Sequence, residues 1–274
     1  MQFATLDGIT IHHQVIGGPE GRPTLVFSNS LGTDFRIWRD VIVRLAGEVA
    51  IVTYDLRGHG LSDVGEGDAA PPYAMADHVG DLANLLDHLG AETSVIVGLS
   101  VGGAIAQGLA VERPDLVSGL VLAGTAARFQ DDAYWNDRIE KVEADGLPAF
   151  APAVIDRWFG ATYKAEAMKE GGGAALAGWR NMVARQPERG YLGTAHALRD
   201  FDGRTALSEI TQPAIAIAGE NDLSCPPADM IRLAKSMPDC RYEEIKGAGH
   251  ILPVENPELF AEIVKAFLAD AELT

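Results

Sequence analysis

Three residues in this chain have the types and settings that nucleophilic catalysis needs: a serine at position 100, an aspartate at 222 and a histidine at 250. Ser100 is the centre of a Gly98-x-Ser100-x-Gly102 turn, preceded by the apolar β-branched residues 95–97 and followed by a helical-looking stretch over 104–111. That order of strand, sharp turn and helix holds the serine in a strained backbone position, where side chains at 98 and 102 would collide with the neighbouring strand and helix. The strain leaves the hydroxyl exposed at the sheet's edge, beside a helix N-terminus. A Gly/Ser turn without chemistry is the competing reading, and the surrounding strand and helix favour the nucleophile.

A serine hydroxyl attacks poorly until a base takes its proton, and the base works best when an acid fixes its tautomer. His250 follows Gly247, Ala248 and Gly249, past the last expected strand, and Asp222 lies just past the carboxyl end of a strand over 214–218. A surface histidine and a turn aspartate are the alternatives, with Glu220 and Asp229 competing for the acid's role. Position after strand ends favours His250 as base and Asp222 as its orienting acid. The remaining histidines fit less well. His59 is read as structural in its Arg57-Gly-His-Gly60 loop, and His78, His88 and His196 fall on expected helices. Adjacent His12 and His13 must face opposite sides of a strand and are expected to be surface or edge residues.

The elements that would position these residues alternate along the chain. Asp7-Gly8 joins strands over 3–6 and 9–16 as a hairpin. Apolar runs over 24–28, 50–54, 94–97 and 120–123 have the continuous character of parallel strands covered on both faces. Amphipathic segments over 35–45 and 77–89, the latter stopped by Gly90, and the helix after Ser100 lie between them. The alternation then ceases. Residues 126–190 show no strand, only amphipathic stretches over 134–144, 148–159 and 174–184, with Gly171 to Gly173 between the last two. A helix over 191–199, strands over 214–218 and 241–245, and helices over 227–236 and 257–269 complete the chain. The pattern predicts an α/β fold: a mostly parallel eight-stranded sheet with helices on both faces, formed by residues 1–125 and 191–274. Residues 126–190 are expected to form a helical cap above it.

Composition sets outer bounds. The 274 residues include 39 acidic against 22 basic side chains, a formal charge of −17 that repels nucleic acid and anionic membranes. No apolar run approaches a membrane span, and no leader segment is read at the N-terminus, so the cytoplasm is the expected compartment. The two cysteines, Cys225 and Cys240, sit in no metal-ligand or disulfide pattern. Oligomeric state is left open.

The chain order Ser, Asp, His, with these strand-end placements, resembles the α/β-hydrolase fold throughout. Several stretches narrow the likeness: residues 25–33 with their Ser28-Asn-Ser-Leu-Gly32 run, the loop 54–63, Asp87 to Gly90, the serine turn, and 135–139 resemble 3-oxoadipate enol-lactonases, enzymes of aromatic catabolism. The resemblance is weakest over 164–184. It implies an oxyanion hole made by the backbone N–H groups of Val101 and Leu31, with Asn29-Ser30 standing where relatives carry His-Gly. It implies a small enol-lactone bearing a carboxylate, opened through an acyl-enzyme, with no metal and no organic cofactor. Such an anion in so acidic a protein needs a cationic anchor. Arg128, Arg138, Arg157, Arg180 and Arg185 are available, and Arg138, three residues from Trp135 on one helix face, is the first choice. A solvated arginine beside a core tryptophan is the alternative. Other cofactor-free esterases, perhydrolases and carbon–carbon bond hydrolases share the core, as would a non-catalytic binding module. Relatives with an aspartate in the serine's place are disfavoured by Ser100.

Overall fold

In the computed structural model, which describes residues 1–91 and 93–273, the hairpin, the alternating strands and the long helical stretch are all present. Asp7 and Gly8 take positive φ (45° and 81°), as a two-residue hairpin turn requires, and join β1 (Gln2–Leu6) to β2 (Ile9–Ile16). There follow β3 (Thr24–Ser28), α1 (Arg39–Leu45), β4 (Ala50–Tyr54), α2 (Met75–Leu89), β5 (Ser94–Leu99), α3 (Val101–Glu112) and β6 (Val117–Ala123). Five helices come next: α4 (Asp132–Asp145), α5 (Leu147–Trp158), α6 (Ala161–Gly171), α7 (Ala174–Ala184) and α8 (Glu188–Asp200). The chain closes with β7 (Ala214–Gly219), α9 (Pro227–Ser236), β8 (Cys240–Ile245), α10 (Leu252–Glu255) and α11 (Pro257–Asp270).

The eight strands form one sheet in the order β1-β2-β4-β3-β5-β6-β7-β8. Pairing is parallel from β4 to β8, and β2 runs antiparallel to both its neighbours, β1 and β4. Strand alternation separates two apolar layers. Val26, Ile96 and Leu120 face one layer with α2 and α3, whereas Leu25, Phe27, Val95 and Val97 face the other with α1 and α11. Both faces are covered, which is why the central strands read as unbroken apolar runs. Among the described residues no helix is long and apolar enough to cross a membrane.

Two expectations fail. His12 and His13 do face opposite sides of β2, but both are buried. The His12 ring lies between Phe3 and Phe35, with Nδ1 2.8 Å from Asp55, while His13 lies edge-on to His88 of α2. The hairpin is covered on both sides, so neither position reaches water. The second departure is α6, a helix the spacing did not mark: it has no fully buried residue, and Tyr163 packs only partly against the core, stacked on Phe159.

Candidate active site

The serine turn is built as its sequence requires. Ser100 has φ 59° and ψ −119°, a conformation costly for any residue with a side chain. Its amide donates to Ala123 of β6, and its carbonyl accepts from the Thr125 hydroxyl at 2.6 Å. A methyl group on Gly98 would lie 2.3 Å from the Gly102 carbonyl, and one on Gly102 would lie 2.2 Å from the Ser28 carbonyl of β3. Glycine is needed at both positions because backbone closes on backbone.

Asp222 and His250 meet beside this turn. The Nδ1–H of His250 donates to Asp222 Oδ2 at 2.8 Å, and Asp222 Oδ1 accepts from the amides of Ser224 and Cys225 at 2.7 and 2.9 Å. A carboxylate can only accept here, so the imidazole carries its proton on Nδ1 and leaves the Nε2 lone pair free. Glu220 instead binds the Gly247 amide and Lys246, and Asp229 pairs with Arg232, so neither rival acid reaches the histidine.

The histidine loop is hung from the helical stretch above it. The His250 amide donates to the Trp158 carbonyl at the end of α5 at 2.6 Å. Glu255, on α10, accepts from the amides of Gly249 and Gly160 at 3.0 and 2.9 Å, and burial pushes its carboxyl up from the usual range. Nothing in the sequence marks Glu255 for this work, because its partners are backbone amides brought together only by the fold.

The loop after β3 is pinned at Asn29. Its amide nitrogen donates to the Tyr54 carbonyl at 2.7 Å, and its oxygen accepts from the Trp38 indole at 2.8 Å. A turn closed by Thr33 N–H to the Ser30 carbonyl follows, with Gly32 at φ 80°. Among the described residues, the N–H groups of Leu31 and Val101 take no acceptor. They are candidates to stabilise an oxyanion beside Ser100.

Ser100, Leu31 and His250 line one small cavity of about 30 Å³. Its other walls come mainly from the insertion, including Tyr134, Trp135, Arg138 and Trp158. The guanidinium of Arg138 packs 5.5 Å from the centre of the Trp135 ring and over Phe150 and Tyr191. It donates to the hydroxyls of Tyr191 and Tyr134, and burial pushes the Tyr191 phenol up. No carboxylate pairs with Arg138 among the described residues. The buried Trp135 Nε1–H also has no partner. Arg128, by contrast, is tied to Asp132, and Arg157 binds Leu223 and Ser224. Tyr134 and Tyr191 were not singled out from sequence, although Tyr134, four residues before Arg138 on α4, was within reach of helical spacing. Tyr191 also touches the loop after β3, since a Cβ on Gly32 would stand 3.1 Å from its ring.

A strained serine elbow, a later Asp–His pair at successive strand ends and this sheet order define an α/β-hydrolase, and the chain belongs to that family: the alpha/beta hydrolase family matches residues 25–263. The chain is 33% identical to 3-oxoadipate enol-lactonase 1 of Acinetobacter baylyi, over 92% of this chain and 91% of that protein. It is 28% identical to a putative carbamate hydrolase, RutD, of Caulobacter vibrioides, over 99% of each. Among solved structures it is similar to the enol-lactonase from Burkholderia xenovorans, with a TM-score of 0.91 and 32% identity, covering 98% of this chain and 100% of that one.

Proposed function

We propose that this hydrolase opens the ring of 3-oxoadipate enol-lactone by an acyl-enzyme mechanism. The observation that carries the reading is Arg138: a guanidinium without a carboxylate partner among the described residues, held by two tyrosine hydroxyls, on the wall of the cavity that contains Ser100 and His250. A substrate carboxylate supplies the missing charge, and the Trp135 indole N–H gives it a second donor.

In this reading residues 126–190 act as the cap. His250 Nε2 takes the Ser100 proton as Oγ attacks the lactone carbonyl, and the N–H groups of Leu31 and Val101 receive the developing oxyanion. The ring C–O bond breaks, the enol oxygen takes the proton from His250, and the enol tautomerises to the ketone. His250 then removes a proton from water, which attacks the acyl-enzyme and frees the carboxylate and Ser100. Asp222 holds the imidazole tautomer and balances the imidazolium in both halves.

The test is a side-by-side measurement of kcat/KM on 3-oxoadipate enol-lactone, a neutral aryl acetate and a simple carbamate. The proposal expects the lactone to lead. Faster turnover of the aryl acetate assigns a general esterase instead, and a lead for the carbamate assigns the activity named for the Caulobacter relative.

A further inference from the structure

Beside the Asp–His pair lies a thiol that the proposed reaction does not use. Cys225 is 1% exposed and lines the same cavity as Ser100 and His250. One donor atom from each of Asp222, Cys225 and His250 lies within 4.8 Å of the others, and all three residues are buried. We propose that these three residues form a binding site for a borderline-soft divalent cation of the Zn²⁺ type, and that its occupation shuts the active site.

The donor set selects the ion. One sulfur, one imidazole nitrogen and one carboxylate oxygen suit Zn²⁺ and its softer relatives, whereas Mg²⁺ and Ca²⁺ demand six or more oxygens. A tetrahedral Zn²⁺ places such donors about 3.3–3.6 Å apart. The observed spread therefore closes by up to about 1.5 Å, while the 2.8 Å His250–Asp222 contact opens by about half an ångström if both its atoms are used. The adjoining cavity of about 30 Å³ supplies room for a bound water as fourth ligand.

Charge favours the bound state. Binding releases the Cys225 proton to solvent, and the thiolate, the carboxylate and the dication then sum to zero, which a dry site tolerates better than an isolated charge. The effect on the base does not depend on which ring nitrogen coordinates. Through Nε2 the ion takes the lone pair that would accept the serine proton. Through Nδ1 it forces the ring proton onto Nε2, with the same result.

The measurement is a calorimetric titration of the full-length protein with Zn²⁺, made in two buffers of different ionisation enthalpy. In parallel, hydrolysis of a neutral aryl acetate is followed, each variant being compared with its own metal-free rate. The expected result is one Zn²⁺ bound at micromolar or lower concentration, release of about one proton, and loss of hydrolysis with the same midpoint. Cys225→Ala and Cys225→Ser should each weaken binding by at least about tenfold and shift the inhibition midpoint equally. Cys240→Ser should match the unaltered protein, and millimolar Mg²⁺ or Ca²⁺ should do nothing. Two Cys225 variants, checked for a cooperative melt, guard against misfolding of either. Inhibition of both at the unaltered protein's Zn²⁺ midpoint overturns the site, as does the absence of Zn²⁺ binding by the unaltered protein. Calorimetry needs no substrate, so the result stands apart from the lactone assignment.

Discussion

The amide of His250 donates to the carbonyl of Trp158, so the loop that carries the candidate base hangs from the last turn of an insertion helix rather than from the sheet alone. Glu255 reinforces that junction by holding Gly249 and Gly160 together.

Replacing Glu255 with Ala should therefore free both amides and loosen the base. Hydrogen bonds to a charged group contribute about 1.5–3 kcal/mol each, so the melting temperature should fall by several degrees. Turnover should fall about tenfold or more, through kcat rather than KM. A variant with unaltered kcat in steady-state assays would remove Glu255 from the positioning of His250.

Ser100→Ala should abolish hydrolysis, by about 10⁴-fold or more, and leave the circular dichroism spectrum unchanged. The same change relieves no contact, because the strained turn is fixed by Gly98 and Gly102 against the backbone of its neighbours. Residual turnover near the unaltered rate would exclude the acyl-enzyme route.

Arg138→Ala should raise KM for the anionic lactone much more than for a neutral ester, by about 10–100-fold for the loss of a charge-assisted pair. Trp135→Phe, which keeps the ring and removes the N–H, should give a smaller effect in the same direction. Equal losses on charged and neutral substrates would show that Arg138 supports the wall and not the carboxylate.

Asn29→Ala should cost stability and catalysis together. It leaves the buried Tyr54 carbonyl and Trp38 indole without their partner, a penalty of about 1–3 kcal/mol for each group. The loop that presents Leu31 then loses its anchor. Urea unfolding measures the first effect and kcat the second; a full kcat in a destabilised protein would separate the two.

The pH dependence of stability follows from His59. Burial lowers its pKa from 6.5 to about 4, and lowers that of neighbouring His78 well below the usual value. The unfolded chain protonates His59 near pH 6.5, while the folded chain refuses that proton until about pH 4. Stability is thus fully present above about pH 6.5 and is lost as pH falls toward 4, on the order of 3 kcal/mol for His59 alone. Urea midpoints across that window check this, with His59→Gln expected to flatten the slope.

The features legible in the sequence are those fixed by local backbone geometry. Gly98, Ser100 and Gly102 declare a turn, Asp7 and Gly8 a hairpin, and apolar runs the covered strands, so the sheet and the placement of Asp222 and His250 after strand ends could be read directly. What escaped was decided by packing between distant segments. The burial of His12 depends on Phe3 and Phe35, and the partners of Glu255 are the backbone amides of Gly160 and Gly249, 95 and 6 residues from it in the chain. Helix α6 carried no signal because no residue of it is fully buried, and Tyr163 alone does not make a helical stripe.

Tyr134 and Arg138 line both the cavity of about 30 Å³ around Ser100 and an outer recess of about 370 Å³. The inner chamber holds about two water molecules. The proposed lactone needs more room than that, so its entry would require these two side chains to move apart. A carboxylate arriving from outside gives Arg138 a reason to leave its phenols, and a neutral ester gives none. Selectivity would then be exercised as admission, before any bond is made or broken.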